Sequence, residues 1–286
     1  MDGFLRTVFS VTFGFFTRAI WFVVIFVLAP FQAAAMASCD LTPGVSGDVV
    51  EVIDGDTIRL AGGLEVRLVG MQAPKLPLGR PNFSPWPLGD EAKAALSDLL
   101  LDKRVTLYHG GETMDRHGRT LAHAYLGNDD SGLWIQGEMI GRGLARTYSF
   151  KDNRECVREL QALEQVARDE QRGIWNIPFY QILDALPPAA LLEFVDTFQL
   201  IEGRIVSVQA VNRRVYLNFG QNWRDDFTGS ISSRDARSFS GAGLDLASLE
   251  GETVRIRGWI EERGGPMITV THPEQIEIVV TGTAGN

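Results

Sequence analysis

The sequence predicts a mainly β protein that also carries α-helices, built as two successive β-rich domains. Three observations predict it. Short apolar runs of strand length recur along nearly the whole chain, each bounded by Gly, Pro, Asn or Asp. Two stretches with helical spacing, 91–101 and 155–173, interrupt the first series of runs. The pattern then breaks at Leu186-Pro187-Pro188, and a second strand series follows. At 286 residues the chain is long enough for two cores. Its 45% hydrophobic and 22% charged content exclude a disordered or fibrous chain. The expected division is 1–37 export signal, 44–180 first domain, 181–196 connector and 197–282 second domain.

At the N-terminus, Arg6 and Arg18 precede an apolar run from Ala19 to Leu28, and Ala35-Met36-Ala37 follows. A basic flank, a short apolar core and a small-residue end are the pattern of a secretory signal. The expectation is a periplasmic or secreted protein with no stable membrane insertion once the signal is removed. A retained anchor would carry Arg18 into the bilayer, which is costly. Lipid modification of Cys39 is a further alternative, since Met36-Ala37-Ser38-Cys39 loosely resembles a lipoprotein box. In an oxidising compartment Cys39 and Cys156 could form a disulfide, although spacing alone does not establish their proximity.

Residues 47–60 and 64–71 read as two strands joined by Ala61-Gly62-Gly63. Within the first, "VIDGDTIRL" sets Asp54 and Asp56 around a glycine. On one continuous strand, Val50, Val52, Asp54, Asp56, Ile58 and Leu60 share a face, so both carboxylates would enter the core. Buried carboxylates need a partner, which here is a metal ion, an arginine or a lysine. Pro74, Pro77, Pro81, Pro85 and Pro87 make 72–91 a long exposed loop, in which Arg80 and Trp86 are candidates for a nucleobase-binding platform. A helix at 91–101, strands at 104–110 and 119–126, and a helix at 132–143 follow. The next helix starts from Asn153 as a cap. Beyond the connector come six short strands and one helix at about 233–249, a pattern compatible with a small OB-like barrel.

The order "VIDGDTIRL", "VRLVGMQAPK", "DRHGRTLAHAYL", "GRGLARTYSF" and a helix ending "RGIW" resembles the thermonuclease family, the staphylococcal-nuclease-like domains, over about 44–177. The resemblance implies an OB-fold five-stranded barrel with packed helices and calcium-dependent hydrolysis of nucleic-acid phosphodiesters. It implies a metal set of Asp56, Gln72 and Ala73, with Asp54 as outer support. Arg67 and Arg119 would grip the phosphate, because guanidinium offers planar paired donors and stays charged.

The chain departs from the family pattern where G-I-D-A-P-E is expected. Here the run is Gly70-Met71-Gln72-Ala73-Pro74-Lys75. Gln72 replaces a metal carboxylate, and Lys75 replaces the glutamate that handles the attacking water. Calcium affinity follows ligand charge, and a protonated lysine cannot act as a general base. Two functions are therefore carried forward. One is a nuclease with weak or altered metal dependence, in one variant of which Lys75 is an amine base deprotonated under the influence of the two neighbouring arginines. The other is a non-catalytic module that binds nucleic acid or a protein through the former cleft.

The net charge of -9 excludes a uniformly basic coat, so any phosphate site is a local patch. His117, beside Arg119, is expected to be a turn residue. In the second domain Arg213, Arg214, Tyr216, Phe219, Trp223 and Arg224 mix basic and aromatic side chains. The slight acidic excess there favours a scaffold or protein-contact role over nucleic-acid binding.

Overall fold

The computed structural model describes residues 39–222 and 224–279. The expected export signal, 1–37, and Trp223 lie outside the described residues. The first strand series is β1 (Thr42–Asp54), β2 (Thr57–Leu60), β3 (Glu65–Leu68), β4 (Gly70–Gln72), β5 (Arg104–His109), β6 (Thr120–Leu126), β7 (Leu133–Trp134) and β8 (Arg146–Tyr148). Its helices are α1 (Gly89–Leu100), α2 (Ile135–Gly141) and α3 (Val157–Asp169). The sheet runs β3-β2-β1-β5-β6-β7, and a parallel β3–β6 pairing closes β1, β2, β3, β5 and β6 into a five-stranded barrel. Val49, Val52, Ile58, Val66, Leu68, Val105, Leu107 and Ala122 fill it, and Leu96 and Met139 bring α1 and α2 into the same core.

The continuous strand expected at 47–60 is a hairpin. β1 and β2 pair antiparallel, with Asp54 opposite Thr57, and Gly55-Asp56 form the turn. Register shifts along β1 also break the expected alternation, so Val49 and Val52 are buried while Val50 is half-exposed. Asp-Gly is itself a turn signal that the flanking apolar residues concealed. Asp54 and Asp56 are buried nonetheless, because the turn folds inward. A Cβ on Gly55 would lie 2.6 Å from the Ala73 Cβ, so only glycine lets the turn press against the loop after β4.

Asn153 does not cap α3. That position belongs to Cys156, in the left-handed region at φ 62°, while the Asn153 side chain donates to the Glu112 carbonyl. Cys39 and Cys156 are disulfide-bonded, which ties the chain before β1 to the start of α3.

The second series comprises β9 (Leu183–Asp184), β10 (Phe198–Arg204), β11 (Ser207–Val211), β12 (Arg214–Asn218), β13 (Thr228–Ser232), β14 (Thr253–Glu262), β15 (Pro266–Val270) and β16 (Ile276–Ile278). The order β11-β12-β13-β15-β14-β10, with β13 and β15 parallel, repeats the topology of the first barrel once β10 and β11 are taken as two halves of one bent strand. The helix expected at about 233–249 is shorter: α4 (Ala236–Gly241) stops before Gly243, at φ 78°, and a separate helical turn covers Leu246–Leu249. Residues 181–196, read above as a connector, are packed into this domain. β9 pairs with β10, and Leu191 joins its core.

Candidate functional site

Asp56 lies at the mouth of the first barrel with 1% of its surface exposed. Its Oδ2 accepts from Lys75 Nζ at 2.9 Å and from the Ala73 N–H at 2.9 Å. Its Oδ1 lies 3.0 Å from the Arg67 guanidinium. Burial opposes ionisation here, but Arg67 and Lys75 outweigh it and hold the carboxyl at about 2. Among the described residues Asp54 makes no such ion pair and accepts instead from the Asp56 N–H at 3.0 Å. Burial and the neighbouring Asp56 charge raise its carboxyl above the usual range.

Arg67 is committed to the fold as well as to Asp56. It donates to the carbonyls of Asp56, Leu68 and Met71 at 3.0, 2.8 and 2.8 Å, which pins the hairpin turn to the chain running into β4. Gln72 is committed too, since its amide oxygen accepts from Arg146 Nε at 3.1 Å and from the same guanidinium at 2.8 Å. Arg146 is buried beside Trp86 and Phe198, and burial lowers it to about 10, so it remains charged at neutral pH.

This donor set does not fit calcium. The dication would need Asp56, the Gln72 oxygen and further oxygens, but Lys75, Arg67 and Arg146 occupy those acceptors. Among the described residues no three acidic, histidine or cysteine side chains group as a metal site. The Ala73 group directed at Asp56 is an N–H donor, which a cation would repel.

The second phosphate-gripping candidate, Arg119, sits on the β5–β6 connection. Asp115 holds it, taking the backbone N–H at 3.0 Å and the side-chain Nε at 2.8 Å. Burial works against Asp115 ionisation, but these bonds and the His117 N–H outweigh it and keep the carboxyl below its usual range. His117 is the turn residue expected of it. Arg67, Arg116, Arg119 and Tyr148 line one cleft of about 540 Å³ together with Trp259 from the second domain. Lys75, Gln72 and Asp54 do not line this cleft.

Arg80 and Trp86 do not form an open platform. Arg80 caps the Leu76 and Pro77 carbonyls and covers Phe83, while Trp86 packs against Phe179 at 5.6 Å. Sequence reasoning missed Arg146, Asp115 and Trp259. Asp115 had a signal, the Asp-x-x-Gly turn within "DRHGR". Arg146 had a weaker one, a charged residue in the apolar run "GLARTY". Trp259 had none, because it comes from another domain.

A closed five-stranded barrel, the inward Asp-Gly-Asp turn and paired arginines at its mouth define a thermonuclease-like OB domain, joined to a second OB-like β domain. Residues 65–177 match the family described as staphylococcal nuclease homologue. The chain is 27% identical to the thermonuclease of Staphylococcus hyicus over 97 residues, 34% of this chain and 55% of that protein. It is 31% identical to the Staphylococcus intermedius thermonuclease over the same shares. It is 33% identical to endonuclease YhcR of Bacillus subtilis (strain 168) over 75 residues, 26% of this chain and 6% of that one. The chain thus spans about half the length of the two thermonucleases and a small part of the endonuclease.

Proposed function

We propose that this is an exported nucleic-acid-binding protein in which a thermonuclease-like cleft has lost calcium-dependent hydrolysis and retains metal-independent binding. The observation that carries the reading is the Lys75–Asp56 pair at 2.9 Å, in which an ammonium takes the oxygen a metal would need. Lys75 stands where the family carries its water-activating glutamate and is tied up as a donor, so no general base faces the cleft from that position. Arg119 and Arg116 provide the local cationic patch that an acidic chain requires to hold phosphate. The relatives' names point to nucleic acid as the polymer. Export is supported by the basic and apolar pattern of the first 37 residues and by the Cys39–Cys156 bond, which persists in oxidising compartments.

The test is fluorescence anisotropy with labelled single-stranded DNA and RNA in Ca²⁺ and in EDTA, beside a hydrolysis assay with Ca²⁺, Mg²⁺ and Mn²⁺. The expected result is equal affinity with and without metal, binding that weakens in Arg119→Ala, and no cleavage. Metal-dependent turnover that disappears in Arg119→Ala would overturn the proposal.

A further inference from the structure

Resting on the nucleic-acid reading above, we propose that the second domain completes the cleft with a base-stacking residue, Trp259, so that the ligand is a single strand with unpaired bases rather than a general polyanion. Along β14, Val254, Ile256 and Ile260 enter the second core. The alternate residues Arg255, Arg257 and Trp259 face the other way. Arg257 is 1% exposed and is consumed by Glu164 of α3, and Arg255 pairs with Glu202 and Glu277. Trp259 follows Arg257 in that row and is 44% exposed, in the same cleft as Arg67 and Arg119. A tryptophan needed only to glue the domains together would be covered, as Arg257 is.

Its ring is held in place. The indole N–H donates to the Tyr148 hydroxyl at 3.1 Å, and the ring packs with Phe198 in a T-shaped pair with centroids 6.3 Å apart. A fixed indole face loses little entropy when a base stacks on it, and stacking is indifferent to base identity. The cleft's charge balance supports the choice of ligand. Glu112, Asp115 and Asp152 line it together with Arg67, Arg116 and Arg119, so the arginines seat a phosphate locally while the acids deny an extended polyanion further gain. A nucleotide gains from both groups, with phosphate at the arginines and base on the tryptophan.

The experiment compares the full chain, Trp259→Ala and Trp259→Phe against a labelled oligothymidylate and an abasic phosphodiester of equal length. Stacking predicts roughly tenfold or greater weakening of oligothymidylate binding in Trp259→Ala. It predicts retention of most binding in Trp259→Phe and unchanged abasic binding in all three. Equal oligothymidylate affinity in Trp259→Ala overturns the proposal. So does equal weakening for both ligands, which would make Trp259 a prop for the cleft. If the unaltered protein binds neither ligand, the nucleic-acid reading itself fails and takes this inference with it.

Discussion

In the proposed reading Lys75 and Gln72 oppose calcium by different routes, and the difference predicts what restores it. Lys75 competes for Asp56 directly, whereas Gln72 loses a charge and has its remaining oxygen taken by Arg146. Substituting Gln72→Asp with Lys75→Glu rebuilds the family pattern on paper but leaves a buried guanidinium beside the new carboxylate. That guanidinium forms an ion pair with the carboxylate, so the double variant is expected to show no calcium heat in titration calorimetry. Adding Arg146→Met frees the carboxylate and fits an apolar side chain among Phe198, Trp86 and Tyr180. The triple variant leaves Arg67 on one Asp56 oxygen but frees the other and adds two carboxylates, so it is expected to bind calcium. Calcium heat already present in the double variant would mean that Arg146 does not control the position.

Among the elements, the disulfide makes the clearest prediction. Cys39 and Cys156 are 117 positions apart in sequence, so their bond removes a large loop from the unfolded ensemble. The double change Cys39→Ser with Cys156→Ser is expected to lower unfolding free energy by about 2–4 kcal/mol in urea titration. A change below the error of the titration would show that the unfolded chain is already compact near this link. The pairing could only be posed from the sequence, because proximity is a property of the fold. The barrel strands were more legible: β5 and β6 lie where apolar spacing put them, since both faces of each are covered. The β1–β2 hairpin was not, because apolar residues on both sides of Asp-Gly mimic an unbroken strand. Asn153 was a good cap by residue type, yet its amide serves the Glu112 carbonyl. The candidate site divided in the same way. Asp56, Lys75 and Gln72 were visible as departures within one short motif, whereas Arg146 and Trp259 reach the region only through tertiary packing.

At the scale of the whole molecule, the two domains share a polar interface whose charge state depends on pH. Arg154 grips Glu274 with two bonds of 2.8 Å, and the Ser149 hydroxyl meets His272 Nε2 at 2.7 Å. Arg257 reaches across to the Thr147 carbonyl of β8, between Arg146, which holds Gln72, and Tyr148, which faces the cleft. His272 is 2% exposed, and burial lowers it to about 4 despite the opposing pull of Glu274. His123, buried in the first domain beside Trp134, is likewise lowered to about 4. An unfolded histidine takes its proton near pH 6.5, so between about 6.5 and 4 the unfolded chain binds more protons than the folded one. Stability is therefore complete above pH 6.5 and falls as pH drops towards 4, by up to about 3 kcal/mol for each histidine. Asp56 follows the same sign lower down, its contribution being lost as pH falls from about 4 towards 2. Asp54, raised in the folded state, acts in the opposite direction and only in the carboxylate range. Urea titrations at pH 7 and 4.5 should show this loss, and His272→Gln should remove roughly half of it, because glutamine keeps a hydrogen-bonding group but does not titrate. An undiminished loss in His272→Gln would mean that the interface opens to water around His272, and the domains would then be less firmly joined than the Arg257–Glu164 pair implies.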